Sequence, residues 1–88
     1  MIQVDVQIKN RAGLHTRPAA AIVKIASRYK CDFFIARDGM EINGKSIIGV
    51  MTLAAEQGSW LQLQFDGPDE QAAADDMKAL FENGFGEL

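Results

Sequence analysis

Ile2-Gln3-Val4-Asp5-Val6-Gln7-Ile8-Lys9, then Asn10 to Leu14, then Thr16-Arg17-Pro18-Ala19-Ala20 form the stretch that decides the fold. Over Ile2–Lys9 apolar and polar side chains alternate, the period of a half-buried strand. Asn10–Leu14 breaks the alternation, and Gly13 allows a backbone angle that other residues avoid. From about Thr16 the period turns helical. Pro18 fits a first turn, where its missing N–H has no partner to lose. Ala19, Ile22, Val23 and Ala26 share one face and predict a core contact. The basic residues from Arg28 to Lys30 suit the helix end.

Working outward, Cys31–Arg37 reads as a second strand and Asp38-Gly39 as a two-residue hairpin turn. Met40–Asn43 is a short third strand. Asn43-Gly44 turns the chain into a second helix that starts at Lys45-Ser46, with Ser46 as its N-cap. Ile47, Val50, Met51 and Leu53–Ala55 form the apolar stripe of that helix, and Gly58 is placed to end it. Trp60–Asp66 alternates again, with Leu61, Leu63 and Phe65 on one face and Trp60 on the other. Asp69 is the expected cap of a last helix whose inner face is Ala73, Met77, Leu80, Phe81 and Gly84, with Gly84 at the C′ position. Phe33, Phe34, Phe65 and Phe81 are expected in the core. The order β-α-β-β-α-β-α predicts an α+β fold, a two-layer open-faced sandwich. In it a four-stranded antiparallel sheet carries three helices on one face and leaves the other to solvent.

The 88 residues make a single domain, 1–88, with room for one core and little for a deep cleft. A net charge of −3 leaves no basic surplus for binding nucleic acid. With one cysteine, Cys31, no internal disulfide can form and no cysteine-based metal site is expected. A reducing cytoplasm is the expected compartment. No signal peptide is visible and no apolar run has the ~20 residues of a membrane helix, so no membrane insertion is expected. Asp75-Asp76 reads as a solvated helix face.

The only histidine, His15, falls where the strand-loop unit meets the first helix. Helix starts expose unpaired N–H groups at the positive end of the helix dipole, and so attract anions. Imidazole is the side chain best suited to reversible nucleophilic work near neutral pH. Arg17 offers charge-assisted hydrogen bonds to a phosphoryl group, and the backbone N–H groups of Thr16 and Arg17 add to them. A lone histidine can equally be a plain N-cap. Three readings stand on these residues: a stoichiometric phosphoryl carrier, a hydrolase with His15 as base and Arg17 as anion clamp, and an interaction module. Whether phosphoryl is held, turned over or ignored separates them.

Gly13-Leu14-His15-Thr16-Arg17-Pro18-Ala19 resembles the active-site signature of the HPr family, the histidine-containing phosphocarriers of the phosphoenolpyruvate-dependent sugar phosphotransferase system (PTS). Lys45-Ser46-Ile47-Ile48-Gly49-Val50-Met51 resembles that family's regulatory serine motif, and length and element order agree along the chain. The resemblance implies that enzyme I phosphorylates His15 on Nδ1, that Arg17 stabilises the phosphoryl charge, and that the group passes to enzyme II A domains for sugar uptake. It implies a carrier rather than an enzyme; no cofactor and no metal are expected, and a monomer is the default for a domain of this shape. It also implies regulatory phosphorylation of Ser46 by an HPr kinase/phosphorylase. Ile47 and Ile48 cannot both be buried by one helix; with Leu14 and Met51 they are the expected docking patch for partners. Leu80–Phe85 is similar to the tail of the nitrogen-related PTS branch, so a nitrogen-related carrier or a mainly regulatory paralogue is the alternative.

Overall fold

The computed structural model describes residues 1–87. The chain runs β1 (Ile2–Gln7), α1 (Thr16–Ala26), β2 (Asp32–Arg37), β3 (Met40–Asn43), α2 (Ile47–Thr52), β4 (Trp60–Asp66) and α3 (Glu70–Glu82), with a 3-10 turn at Gly84–Gly86. The strands form one sheet in the order β1-β4-β2-β3, every pair antiparallel. β1 and β2 therefore run in the same direction with β4 between them, and α1 crosses over from one to the other, a split βαβ unit.

Alternation sets the register. Val4 lies opposite Leu63, and Val6 opposite Leu61. Phe33 lies opposite Phe65, their rings stacked at 4.7 Å. These apolar rows pack against Ala19, Ile22 and Ala26 of α1, Val50 of α2, and Ala73, Ala74, Met77 and Phe81 of α3. The other face carries Gln3, Asp5, Gln62 and Gln64, with Trp60 largely exposed. Asp38 (φ 49°) and Gly39 (φ 83°) make the hairpin turn whose positive angles match the twist of β2 and β3.

Four details differ from the sequence reading. Phe34 is half-buried on the open face, because strand alternation sends it opposite Phe33 and Ile35. α2 stops at Thr52, so Gly58 does not end it; Ala54 takes the left-handed angle (φ 48°) just beyond the Leu53 cap. Leu53 and Ala55 are nonetheless buried, Leu53 as the helical C-cap and Ala55 in the irregular tail beyond it. Asp69 occupies the N-cap of α3, but its carboxylate is turned away from that helix. It accepts the backbone N–H groups of Lys30 (2.8 Å) and Cys31 (2.9 Å) and so ties the α1–β2 loop to the start of α3. The Lys30 hydrogen bond is the main cause that holds the Asp69 carboxyl below its ordinary range. Beside it, burial first and the Asp69 carboxylate second push the Cys31 thiol up, in keeping with a small apolar residue.

Candidate functional site

The loop between β1 and α1 is fastened from both sides. Gly13 sits at φ 72°, and a Cβ there would collide with the Ala55 carbonyl oxygen, so glycine is required by angle and by space. Leu14 N–H donates to that same Ala55 oxygen at 2.9 Å. The Leu14 side chain is only 5% exposed and belongs to the core. It therefore anchors the loop and is no part of an exposed docking patch, because the next residue must turn outward to begin the helix. The tail after α2 is thus the seat of the His15 loop. Arg37 steadies that tail by donating from Nη1 to the Leu53 carbonyl at 3.0 Å.

His15 is the N-cap of α1, with extended backbone (φ −83°, ψ −172°) and no hydrogen bond from its side chain to the helix it starts. Its carbonyl accepts Ala19 N–H at 3.0 Å. Thr16 and Arg17 follow as the first helical residues, where N–H groups have no intrahelical acceptor, and Pro18 brings none. No acidic residue stands in that first turn. The positive end of the helix is therefore neither capped nor neutralised from within. The imidazole is 41% exposed, open to a partner and still held.

What holds it was not legible in the sequence. Nε2 lies 2.9 Å from Oε2 and 3.1 Å from Oε1 of Glu87, while Nδ1 makes no hydrogen bond among the described residues. Glu87 is held in turn by Asn10, whose Nδ2 donates to Oε1 at 2.8 Å and to the Gly13 carbonyl at 2.9 Å. The His15 hydrogen bond first, and that of Asn10 second, hold the Glu87 carboxyl below the ordinary glutamate range. Arg17 adds a smaller attraction to Glu87 and is itself exposed, with no hydrogen bond or ion pair from its side chain among the described residues. No local pattern joins residues 72 and 77 positions apart, and this is why Glu87 and Asn10 escape a reading by motif.

The second motif lands on α2. Ser46 is its N-cap, and its Oγ accepts Gly49 N–H at 3.1 Å. Ser46 is exposed, and beyond it Ile48 is 78% exposed with Ile47 and Met51 about half as much. Only Val50 of this helix enters the core. Of the expected patch, Ile47, Ile48 and Met51 are therefore presented to solvent on one short helix, and the Leu53–Ala55 tail of that helix is the seat of the His15 loop.

The described residues thus make an open-faced α+β domain with an exposed imidazole at a helix start that its own side chain leaves uncapped. Residues 2–83 match the family described as the PTS HPr component phosphorylation site. The chain is 48% identical over 87 residues to the phosphocarrier protein HPr of Treponema pallidum, covering 99% of each. It is 42% identical over 82 residues to the HPr-like protein Crh of Halalkalibacterium halodurans, covering 93% of this chain and 98% of that one. The crystal structure of HPr-C-His from Thermoanaerobacter tengcongensis superposes with a TM-score of 0.96 at 40% identity, over 100% of this chain and 99% of that one. An HPr dimer from the same organism superposes at 0.80, also 40% identical, over 99% of this chain and all of the other. The chain belongs to the HPr family of PTS phosphocarriers.

Proposed function

We propose that His15 takes a phosphoryl group on Nδ1 from phosphorylated enzyme I and passes it to a histidine of an enzyme II A domain during sugar uptake. The observation that carries this reading is the state of the imidazole: exposed, engaged only through Nε2, and seated at a helix start with no internal anion. A phosphoryl group on Nδ1 finds the N–H groups of Thr16 and Arg17 and the positive dipole end. Arg17 supplies an exposed guanidinium for the developing charge. Phosphoryl transfer needs little covalent help from a protein beyond such positioning and charge. One carrier must serve two partners, and an imidazole 41% exposed at the surface is open to both.

The apolar side chains of Ile47, Ile48 and Met51 form the docking patch, with Arg17 as the charged contact beside the reacting atom. Ser46 is the regulatory position, modified by a kinase/phosphorylase. The similarity to Crh, described for Bacillus subtilis as the catabolite repression HPr, favours a second reading in which the chain is mainly a regulator. The carrier works as a single copy in the cytoplasm; a solution mass of two copies, as in the solved HPr dimer, would overturn that part.

Intact-protein mass spectrometry after incubation with phosphoenolpyruvate and enzyme I tests the carrier reading. The expected result is one acid-labile phosphoryl group per chain, discharged when an enzyme II A domain is added. Turnover to free phosphate would mark a hydrolase, and no adduct would overturn the carrier role. An adduct that no enzyme II A domain discharges would favour the regulatory reading.

A further inference from the structure

We propose that Glu87, braced by Asn10, is a positioning residue for His15: it holds the Nε2 proton and so keeps the Nδ1 lone pair directed at the incoming phosphoryl group. This rests on the carrier reading and adds to it a residue far outside both motifs.

Several independent features build this contact. The carboxylate straddles Nε2, with both oxygens within 3.1 Å. Asn10 is fully buried and spends its amide donors on Glu87 Oε1 and the Gly13 carbonyl, while its Oδ1 has no partner among the described residues. Turning that amide over would set an oxygen against two acceptors, so the donors must face this way. The fold thus leaves a buried acceptor unpaired in order to aim N–H groups at the loop and at Glu87 together.

The backbone before Glu87 is built to deliver it. Gly84 (φ 58°), Phe85 (φ 59°) and Gly86 (φ 77°) are all left-handed and turn the chain back after α3. Phe85 has no glycine freedom to ease that angle. Its ring lies edge-on to buried Phe81, centroids 4.9 Å apart, and this packing holds the turn. Glu87 N–H closes it on the Gly84 carbonyl at 3.0 Å. Other charges near the carboxylate are Arg17 on α1, and Lys9 and Arg11, which line an open cleft with Gln57 and Glu87.

The chemistry that follows is economical in protons. On loading, the Nδ1 lone pair forms a bond to phosphorus as the donor's N–P bond breaks and its electron pair returns to the donor nitrogen. The His15 ring gains a positive charge while Nε2 keeps its proton, and the Glu87 carboxylate balances that charge. On unloading, the electron pair of the N–P bond returns to Nδ1 and the ring is neutral again, with the same proton on Nε2. No proton need enter or leave in either direction. The arrangement parallels a carboxylate that orients a catalytic imidazole.

Nitrogen-detected NMR of the His15 ring, with single-turnover transfer from phosphorylated enzyme I, tests this on Glu87→Ala and Glu87→Gln in the full chain. In the unmodified protein the Nε2–H proton should exchange slowly enough to be seen. In Glu87→Ala it should vanish into solvent exchange, and transfer should slow about tenfold with the enzyme I dissociation constant unchanged. Glu87→Gln, whose carbonyl can still accept, should recover the ring signal but only part of the rate. A ring signal unaltered in Glu87→Ala, or a transfer rate equal to that of the unmodified protein, would overturn the proposal. Failure of the unmodified protein to accept phosphoryl at all would instead overturn the carrier role; the ring signal alone would then decide whether Glu87 holds Nε2.

Discussion

The starts of α1 and α2 are built from the same part and used in opposite ways. Each begins with an N-cap residue in extended conformation, His15 or Ser46, and neither has an acid in its first turn. Ser46 folds its hydroxyl back and accepts Gly49 N–H, closing its own helix. His15 turns its ring outward to Glu87 and leaves the first turn of α1 open. A cap that satisfies its own helix removes an anion-binding donor, and a cap that looks elsewhere preserves one. The open start sits on the longer helix, where aligned peptide dipoles add over more residues. The short α2 instead presents apolar side chains. One helix start is left open, and the other helix exposes an apolar surface.

The comparison breaks most sharply at His15. His15→Ala should abolish the acid-labile phosphoryl adduct while the chain still unfolds cooperatively near its original temperature, because the ring is exposed and makes no core contact. Adduct mass and thermal unfolding measured side by side would show it. Arg17→Ala should follow, slowing single-turnover transfer by roughly ten- to a hundredfold, a larger factor than its loss of enzyme I affinity. Unchanged transfer would remove Arg17 from the chemistry.

On the other helix the effect should fall on binding instead. Ile48→Asp places a charge on the most exposed apolar side chain of α2, and should weaken enzyme I binding by about 1–2 kcal/mol in calorimetry without loss of stability. Unfolding would mean that Ile48 seals the core rather than docks. Ser46→Ala should lower stability by about 1 kcal/mol in denaturant titration, the usual effect of losing a helix cap, with phosphoryl transfer from enzyme I unaltered. A matching loss of transfer would show that the two helix starts are coupled.

The smallest expected effect is that of acid on the Glu87 contact. The hydrogen bonds of His15 and Asn10 depress the carboxyl pKa below its ordinary value of 4.5. A depressed carboxyl stabilises the fold above the unfolded value, and that contribution is lost as pH falls through the lower folded value. Stability from this contact should therefore be complete near neutrality and disappear below pH 4.5. Carbon NMR of the Glu87 carboxyl should give a midpoint below that value in the unmodified chain and a higher one in Asn10→Ala. Equal midpoints would mean that Asn10 does not brace it.

Legibility followed the range of the interactions. Local period places β1, α1, β4 and α3 with small errors, because a two- or 3.6-residue repeat is written in neighbours. It fails just past Thr52, where Ala54 takes the left-handed angle and the buried positions of Leu53 and Ala55 mimic a continuing helix. It fails again at Phe34, where aromatic character outweighed alternation, and at Leu14, whose neighbours in the motif suggested a surface role. Asp69 was read correctly as a cap position, but its acceptors are occupied by N–H groups some forty residues back in the chain.

By itself the sequence determined the element order, the single hairpin turn, the placing of His15 and Arg17 at the start of α1, and the capping serine of α2. Each of these is set by residues within a few positions of one another. Tertiary structure alone decided which nitrogen of His15 is held, because the answer comes from Glu87 and Asn10 across nearly the whole chain. It also decided that Leu14 anchors while Ile48 is presented, since burial depends on what the rest of the fold brings alongside. Side-chain chemistry is local, but the direction in which a side chain faces is a property of the packed whole.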